Sequence, residues 1–385
     1  MNRQSTTSNR YRDRKRNRNR KGIPMNEALF TPATLGGITL ANRIVMAPMT
    51  RSRAIGNVPN ALMEKFYADR ADAGLLITEG IAPSADGLGY ARIPGLFSDE
   101  QERGWKRVTD GVHRAGGRIF AQLMHTGRVG HPANMPADAQ LVAPSAVAAP
   151  GQMWTDDGGM QPHPVPAAMD EAGIAKAIAG FAAAAKRAVA AGFDGIELHG
   201  ANGYLVDQFL NTASNLRTDR WGGSVENRVR FAVEVARAAA LAIGAGRVGL
   251  RISPHGVFNG MAPDADMDAL YLRLVEEMNA IGIAYIHVVD HSSMGAPEVS
   301  PALKARIRNA FKGRYVLSGG YDAARAAADL EAGRGDLVAF GRPFISNPDL
   351  VRRFRKGIAL APADPGTFYT PGERGYTDYP LAAAA

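Results

Sequence analysis

The stretch FDGIELHGANGYLVDQFLN, residues 193–211, turns from apolar to polar within a few positions. Residues 195–199 read as a short buried strand bounded by turn residues, and His199, Asn202 and Tyr204 stand at its end. A histidine and an amide three residues apart, just past a strand, can aim two hydrogen-bond donors at one acceptor. A tyrosine two residues on offers a phenolic proton. Loop capping by the same polar groups is the other reading of this cluster.

Outward from this strand the same alternation repeats. Apolar runs occur at residues 44–49, 75–79, 119–123, 196–198, 248–252, 284–289, 315–317 and 337–340. They carry Val, Ile, Leu and Ala on both faces, as parallel strands covered by helices do. The segments between them show helical period: a capping box at 98–101 followed by Trp105, Val108 and Val112, then Ile174, Ile178, Phe181 and Val189. Asn347 before Pro348 reads as a helix cap, with Leu350, Val351 and Phe354 as the apolar face and Gly357 as the stop. Eight alternations favour an α/β fold of the (β/α)8 TIM-barrel type over a doubly wound sheet. No G-x-G-x-x-G follows any of the runs, which argues against a Rossmann domain. Residues 29–43 suggest an N-terminal hairpin turning at Gly36-Gly37 that plugs the barrel floor. The long connections 124–169 and 204–227 follow the third and fourth strands, so they are expected on the catalytic face as lids or binding loops.

Composition narrows the class. With 46% hydrophobic residues in 385 the chain can bury a large core, and no run of about 18 apolar residues could span a bilayer. There is no cysteine, which excludes disulfides, thiolate metal sites and a cysteine nucleophile and suits a reducing, cytoplasmic setting. The net charge of +8 is local: residues 1–24 hold nine Lys/Arg and one acid, leaving 36 basic and 36 acidic residues in the rest. The expected organisation is a disordered basic tail, 1–24, and a single barrel domain, 25–385. Such a tail could touch nucleic acid weakly through charge; an extension upstream of Met25 without a role in the chemistry is the plainer reading.

If the strands are placed correctly, polar residues at their C-terminal ends share one mouth: Pro48 and Thr50, Glu79 and Gly80, Gln122 and His125, His199 and Asn202, Arg251, Ser318 with Gly319 and Gly320, Gly341 with Arg342. Glycines after strands seven and eight let backbone N–H groups approach an anion, and a guanidinium adds bidentate contacts, at the place where barrels commonly bind phosphate. Glycines that merely permit tight turns are the alternative. Gln122 and Arg251 across the mouth would suit a flat, hydrogen-bonding ring whose reduced form is anionic.

These residues resemble the Old Yellow Enzyme family of flavin-dependent ene-reductases. The resemblance rests on ANRIVMAPMTR (41–51), AQLMHTGR (121–128), GFDGIELHGANGYLVDQFLN (192–211), RTDRWGGSVENRVRF (217–231), VGLRISP (248–254), VAFGRPFISNPDLV (338–351) and GYTDYP (375–380), in order from about residue 29 to 381. It lies nearest the N-ethylmaleimide reductase and alkene-reductase branch. It implies FMN on the barrel mouth, with the phosphate at Ser318, Gly319, Gly320, Gly341 and Arg342 and the ring on Pro48, Met49, Thr50, Gly80, Gln122 and Arg251. It implies His199 and Asn202 as the clamp on a carbonyl or nitro oxygen, Tyr204 as proton donor, and Tyr90, Met124 and Tyr369 as pocket walls. Met124 stands where relatives often carry tryptophan, and Asn202 where some carry a second histidine. The implied activity takes hydride from NADPH or NADH and reduces the activated C=C of a small electrophilic alkene, without a metal, in a monomer or homodimer. Nitrate-ester or nitroaromatic reduction, and a flavin-free barrel with a phosphorylated substrate, remain open at this point.

Overall fold

The computed structural model describes residues 26–383; the basic tail expected at 1–24 lies outside them. Eight strands close a barrel in chain order: β1 Ile44–Met46, β2 Leu75–Ile81, β3 Ile119–Leu123, β4 Gly195–Gly200, β5 Val248–Ile252, β6 Tyr285–Val289, β7 Arg314–Ser318 and β8 Leu337–Phe340. Every pairing is parallel, and β8 returns to β1 through Val338↔Ile44 and Ala339↔Val45. All eight expected runs are strands. The first is shorter than expected because Ala47 N–H still donates to Phe340 O at 3.0 Å, whereas Pro48 has no N–H to continue the ladder. β2 carries an irregularity: its register with β3 shifts between Ile77 and Gly80. There the Thr78 hydroxyl accepts the Gln122 N–H at 3.0 Å, a side chain standing in for a ladder carbonyl.

Eight helices alternate with the strands: α1 Ala61–Ala68, α2 Asp99–Arg114, α3 Glu171–Ala190, α4 Val225–Ile243, α5 Met267–Ile281, α6 Pro301–Ala310, α7 Ala323–Glu331 and α8 Leu350–Lys356. Several starts are fixed by side chains that satisfy orphan backbone donors. The capping box at Ser98 and Gln101 is formed, and Asp170, Ser224, Ser300 and Asp322 cap α3, α4, α6 and α7. The buried face of α3 is Ile174, Ala177, Phe181, Ala184, Ala185 and Ala188. Alanines thus supply most of a stripe that the larger residues only hinted at. Contrary to the sequence expectation, Asn347 does not cap α8; it ends the short helix Arg342–Ser346, and its side chain donates to Pro343 O at 2.8 Å. α8 begins after Asp349 and stops at left-handed Gly357.

The hairpin pairs Ala33–Leu35 with Ile38–Leu40. Its turn needs glycine: Gly36 has φ +53 and a Cβ there would lie 1.6 Å from Gly246 O. Leu35 and Leu40 pack with Val45, Leu75, Phe120, Tyr285 and Leu337 of the barrel interior, so the floor is plugged. The 124–169 excursion contains an unexpected antiparallel hairpin, Gln152–Thr155 with Gly159–Pro162. Its first strand alternates exposed and buried, yet an exposed Trp154 breaks the polar pattern by which such a strand is read. The second excursion begins with a fully buried one-and-a-half-turn helix, Leu205–Leu210. Among the described residues no helix is long and apolar enough to cross a membrane.

Candidate active site

The barrel interior holds a polar layer above the hairpin plug. Gly195 and Gly249 make room for the rings of Phe120 and Tyr285, which a Cβ at either glycine would strike at 2.5 Å or less. Above those rings, fully buried Glu197 of β4 accepts three hydrogen bonds. Gln122 Nε2 donates at 2.9 Å, the Tyr285 hydroxyl at 3.1 Å and His287 Nδ1 at 2.8 Å. Neighbouring Arg251 is buried and its Nε has no protein partner. Burial lowers its pKa while Glu197 opposes that shift. Burial likewise lowers the pKa of His287, again against Glu197, so the imidazole is neutral and its proton sits on Nδ1, toward the carboxylate.

At the end of β4, His199 is paired in register with Arg251. Burial, then the nearby Arg251, His287 and His291, push its pKa well below the ordinary 6.5. It is a neutral imidazole, able to donate one N–H, and its Nδ1 is buried without a partner. Asn202 sits in the left-handed region at φ +60. Its N–H donates to Ser253 Oγ at 3.0 Å, and its carbonyl accepts from Asn259 Nδ2 at 2.7 Å. Its Oδ1 lies 2.7 Å from His291 Nε2. The Tyr204 hydroxyl is 3.0 Å from that of Tyr90, with its ring edge-on to His199. Burial raises the Tyr204 pKa, although the Tyr90 hydrogen bond acts the other way. Below this loop, buried Asp207 accepts from Gly203 N–H at 2.8 Å and the Tyr271 hydroxyl at 3.3 Å. Burial drives its pKa up to about 7.

One cavity of about 1120 Å³ is lined by Pro48, Thr50, Tyr90, Gln122, Met124, His199, Asn202, Tyr204, Arg251 and Tyr369, all singled out from sequence. Met49, Gly80, Ser318, Gly319, Gly320, Gly341 and Arg342 do not line it. The Met124 thioether lies over Gly80, where a Cβ would meet it at 2.5 Å. Gly319 and Gly320 adopt φ +117 and +61, and a Cβ on Gly319 would sit 2.0 Å from Asp290 O; the turn itself requires glycine there. Gly341 is different. Its φ is −97, and a Cβ would meet nothing closer than Met49 Sδ at 3.6 Å. Exposed Arg342 begins the helix that follows.

Several contributors escaped the sequence reading. Glu197 and His287 were visible only as polar residues inside apolar strands, and His291 as a loop residue after β6. Arg51 and Arg53 clamp the C-terminal segment: Arg51 donates to the carbonyls of Phe368 and Gly375, and Arg53 to those of Phe368, Thr367, Gly372 and Arg374. Arg92 ties Ser52 O to Tyr369 O and pairs with Asp156 of the 150s hairpin. Tyr369 reaches the mouth on this scaffold. Among the described residues no group of three or more His, Asp or Glu side chains is placed to hold a metal ion.

Residues 28–361 match the NADH:flavin oxidoreductase / NADH oxidase family. The chain belongs to that family. It is 45% identical over 362 residues to a probable flavin mononucleotide-dependent alkene reductase of Leishmania infantum, covering 92% of this chain and 98% of that protein. It is 41% identical to 12-oxophytodienoate reductase 7 of Oryza sativa subsp. japonica, at 92% and 94% coverage. Among solved structures, morphinone reductase in complex with tetrahydroNAD superposes with a TM-score of 0.88 at 44% identity, covering 92% of this chain and 98% of that one. The Old Yellow Enzyme homologue from Zymomonas mobilis gives 0.88 at 40% identity, with 92% and 100% covered. The resemblance read from the motifs is therefore a true kinship, and the flavin-free barrel is set aside.

Proposed function

We propose that the enzyme is an FMN-dependent ene-reductase that takes hydride from NAD(P)H and reduces the activated C=C of α,β-unsaturated carbonyl or nitro compounds. The observation that carries this reading is the convergence of two neutral donors, His199 and Asn202, and a protonated phenol, Tyr204, on the same cavity as Gln122 and Arg251.

The residues present fit the flavin. Arg251 Nε is a buried donor without a protein acceptor, and Gln122, held by Glu197, lines the same cavity. The phosphate end would rest on Ser318, Gly319, Gly320, Gly341 and Arg342. At Gly341 side-chain packing leaves room for a methyl group, so a ligand's approach is the better reason for glycine there. Pro48, Met49, Thr50 and Gly80 would border the ring. Bound FMN supplies the hydride acceptor for NAD(P)H and the hydride donor to the alkene β-carbon.

The chain's own groups do the remaining work. His199 and Asn202 donate hydrogen bonds to the substrate oxygen and stabilise the negative charge that grows on it. Tyr204 delivers a proton to the α-carbon. Its hydroxyl is oriented by Tyr90 at 3.0 Å. The net reaction consumes one alkene, one NAD(P)H and one proton. Tyr90, Met124 and Tyr369 wall the substrate space. The absence of cysteine suits a reducing compartment, and we place the enzyme in the cytoplasm as a monomer or homodimer.

The test is a visible spectrum of the purified protein, before and after anaerobic NADPH and then 2-cyclohexenone. Flavin absorbance that bleaches with NADPH and returns with the enone is expected. A protein that is colourless and cannot be reconstituted with FMN overturns the reading.

A further inference from the structure

We propose that His291 is a positioning residue that locks the Asn202 side chain so that its amide nitrogen, and not its oxygen, faces the substrate. The inference rests on the reading of His199 and Asn202 as the oxygen clamp.

Asn202 has one backbone donor, one backbone acceptor and a side-chain amide that can present either end. The backbone groups are taken by Ser253 Oγ at 3.0 Å and Asn259 Nδ2 at 2.7 Å, which fixes the left-handed conformation of the residue. The remaining freedom is the amide flip. Amide oxygen Oδ1 only accepts, so at 2.7 Å from it His291 Nε2 must carry the proton and donate. Burial and then Arg251, opposed by Asp290, bring the pKa of His291 down to about 4. The ring is therefore neutral at working pH and its single N–H is committed to Asn202. The committed ring is itself held. Phe258 meets it edge-on at 4.6 Å, and the His291 carbonyl accepts from Met294 N–H at 2.8 Å and Ala296 N–H at 3.3 Å. Next to it, Asp290 accepts from Ser292 N–H and pairs with Lys304 of α6. A braced loop after β6 thus sets the polarity of a side chain borne by the loop after β4.

The experiment measures binding of para-chlorophenol to the FMN-loaded enzyme through its charge-transfer band with oxidised flavin, in wild type, His291→Ala, His291→Gln, Asn202→Ala and the Asn202→Ala/His291→Ala double variant. His291→Ala is expected to weaken binding by about 5-fold, the worth of one net hydrogen bond. His291→Gln, whose amide N–H can reach the same oxygen, is expected to restore binding to within about twofold of wild type. In the Asn202→Ala background, loss of His291 is expected to have no further effect, as for two residues acting through one contact. An unchanged flavin spectrum in each variant checks the fold. Wild-type affinity in His291→Ala, or full additivity in the double variant, overturns the inference alone. A wild-type enzyme without a band overturns the oxygen-clamp reading, and this inference with it.

Discussion

Glu197 offers the sharpest test of how the barrel supports its site. Replacing it with leucine keeps much of the volume but removes the acceptor for Gln122, Tyr285 and His287 at 2.9, 3.1 and 2.8 Å. Each donor left buried without a partner costs about 1–3 kcal/mol. Tautomer exchange at His287 and rotation of the Tyr285 hydroxyl recover part of this, while Arg251 loses the carboxylate that opposes its desolvation. The sum falls at about 3–5 kcal/mol, the usual cost of breaking one side of a buried charged network. With an unfolding entropy of about 2.1 cal/mol/K per residue over residues 26–383, this lowers Tm by about 4–7 °C. Glu197→Gln, which still accepts through its carbonyl, should lose about half as much. Circular dichroism melts of apoprotein and FMN-loaded protein measure both. A Glu197→Leu variant within about 1 °C of wild type would show that the three donors have other acceptors and refute the network.

Three further outcomes are expected. Tyr204→Phe should leave flavin reduction by NADPH intact and slow alkene reduction by about 100-fold; since burial raises the Tyr204 pKa, the wild-type oxidative half-reaction should stay flat from about pH 6 to pH 10, and stopped-flow traces showing no difference for the variant would dismiss the proton-donor role. Glu79, buried with one oxygen unpartnered, has its pKa raised to about 7 by burial; its protonated form therefore favours folding below the unfolded pKa of about 4.3, and that contribution, about 4 kcal/mol, is lost as pH rises from there through 7. Melts of Glu79→Gln should gain on wild type between pH 5 and pH 8, and a constant gap would count against the shift. Gly341→Ala should change the apoprotein Tm by less than about 2 °C yet weaken FMN binding, as followed by fluorescence titration; unaltered affinity would remove Gly341 from the phosphate site.

The barrel was legible because parallel strands covered on both sides are apolar throughout. Residues such as 248–252 and 285–289 announce themselves without periodicity, and the Ser98 box and Gly357 mark helix ends by local chemistry. The 150s hairpin was hidden because Trp154 points outward from a strand whose buried positions are Met153 and Thr155; side-chain polarity and burial run against each other there. The Asn347 reading failed for a related reason. Asn-Pro is a local signal, but here a preceding short helix claims the asparagine, and only tertiary packing decides which helix it serves. The site was legible where a polar group ends a strand, since barrel topology alone carries such groups to one mouth. It was illegible where two distant segments had to meet: Arg51 and Phe368, 317 positions apart, or Asn202 and His291, 89 apart.

That division has a physical consequence for the chemistry. Gln122, His199 and Arg251 are borne by strands whose backbone ladders are closed on both sides, so their backbone positions change only if the barrel does. Asn202, Tyr204 and Tyr369 are borne by loops, and their placement depends on hydrogen bonds that Asn259, His291, Arg51, Arg53 and Arg92 donate and that the side chains of Ser253 and Asp207 accept. The strand-borne groups are those assigned to the flavin ring and one half of the oxygen clamp; the loop-borne groups supply the other half, the proton and the pocket wall. Substitution in the supporting loops should therefore alter oxygen binding, proton delivery and substrate choice while leaving flavin binding intact. The Glu197 layer should behave in the opposite way, because it acts on Gln122 and Arg251 from beneath.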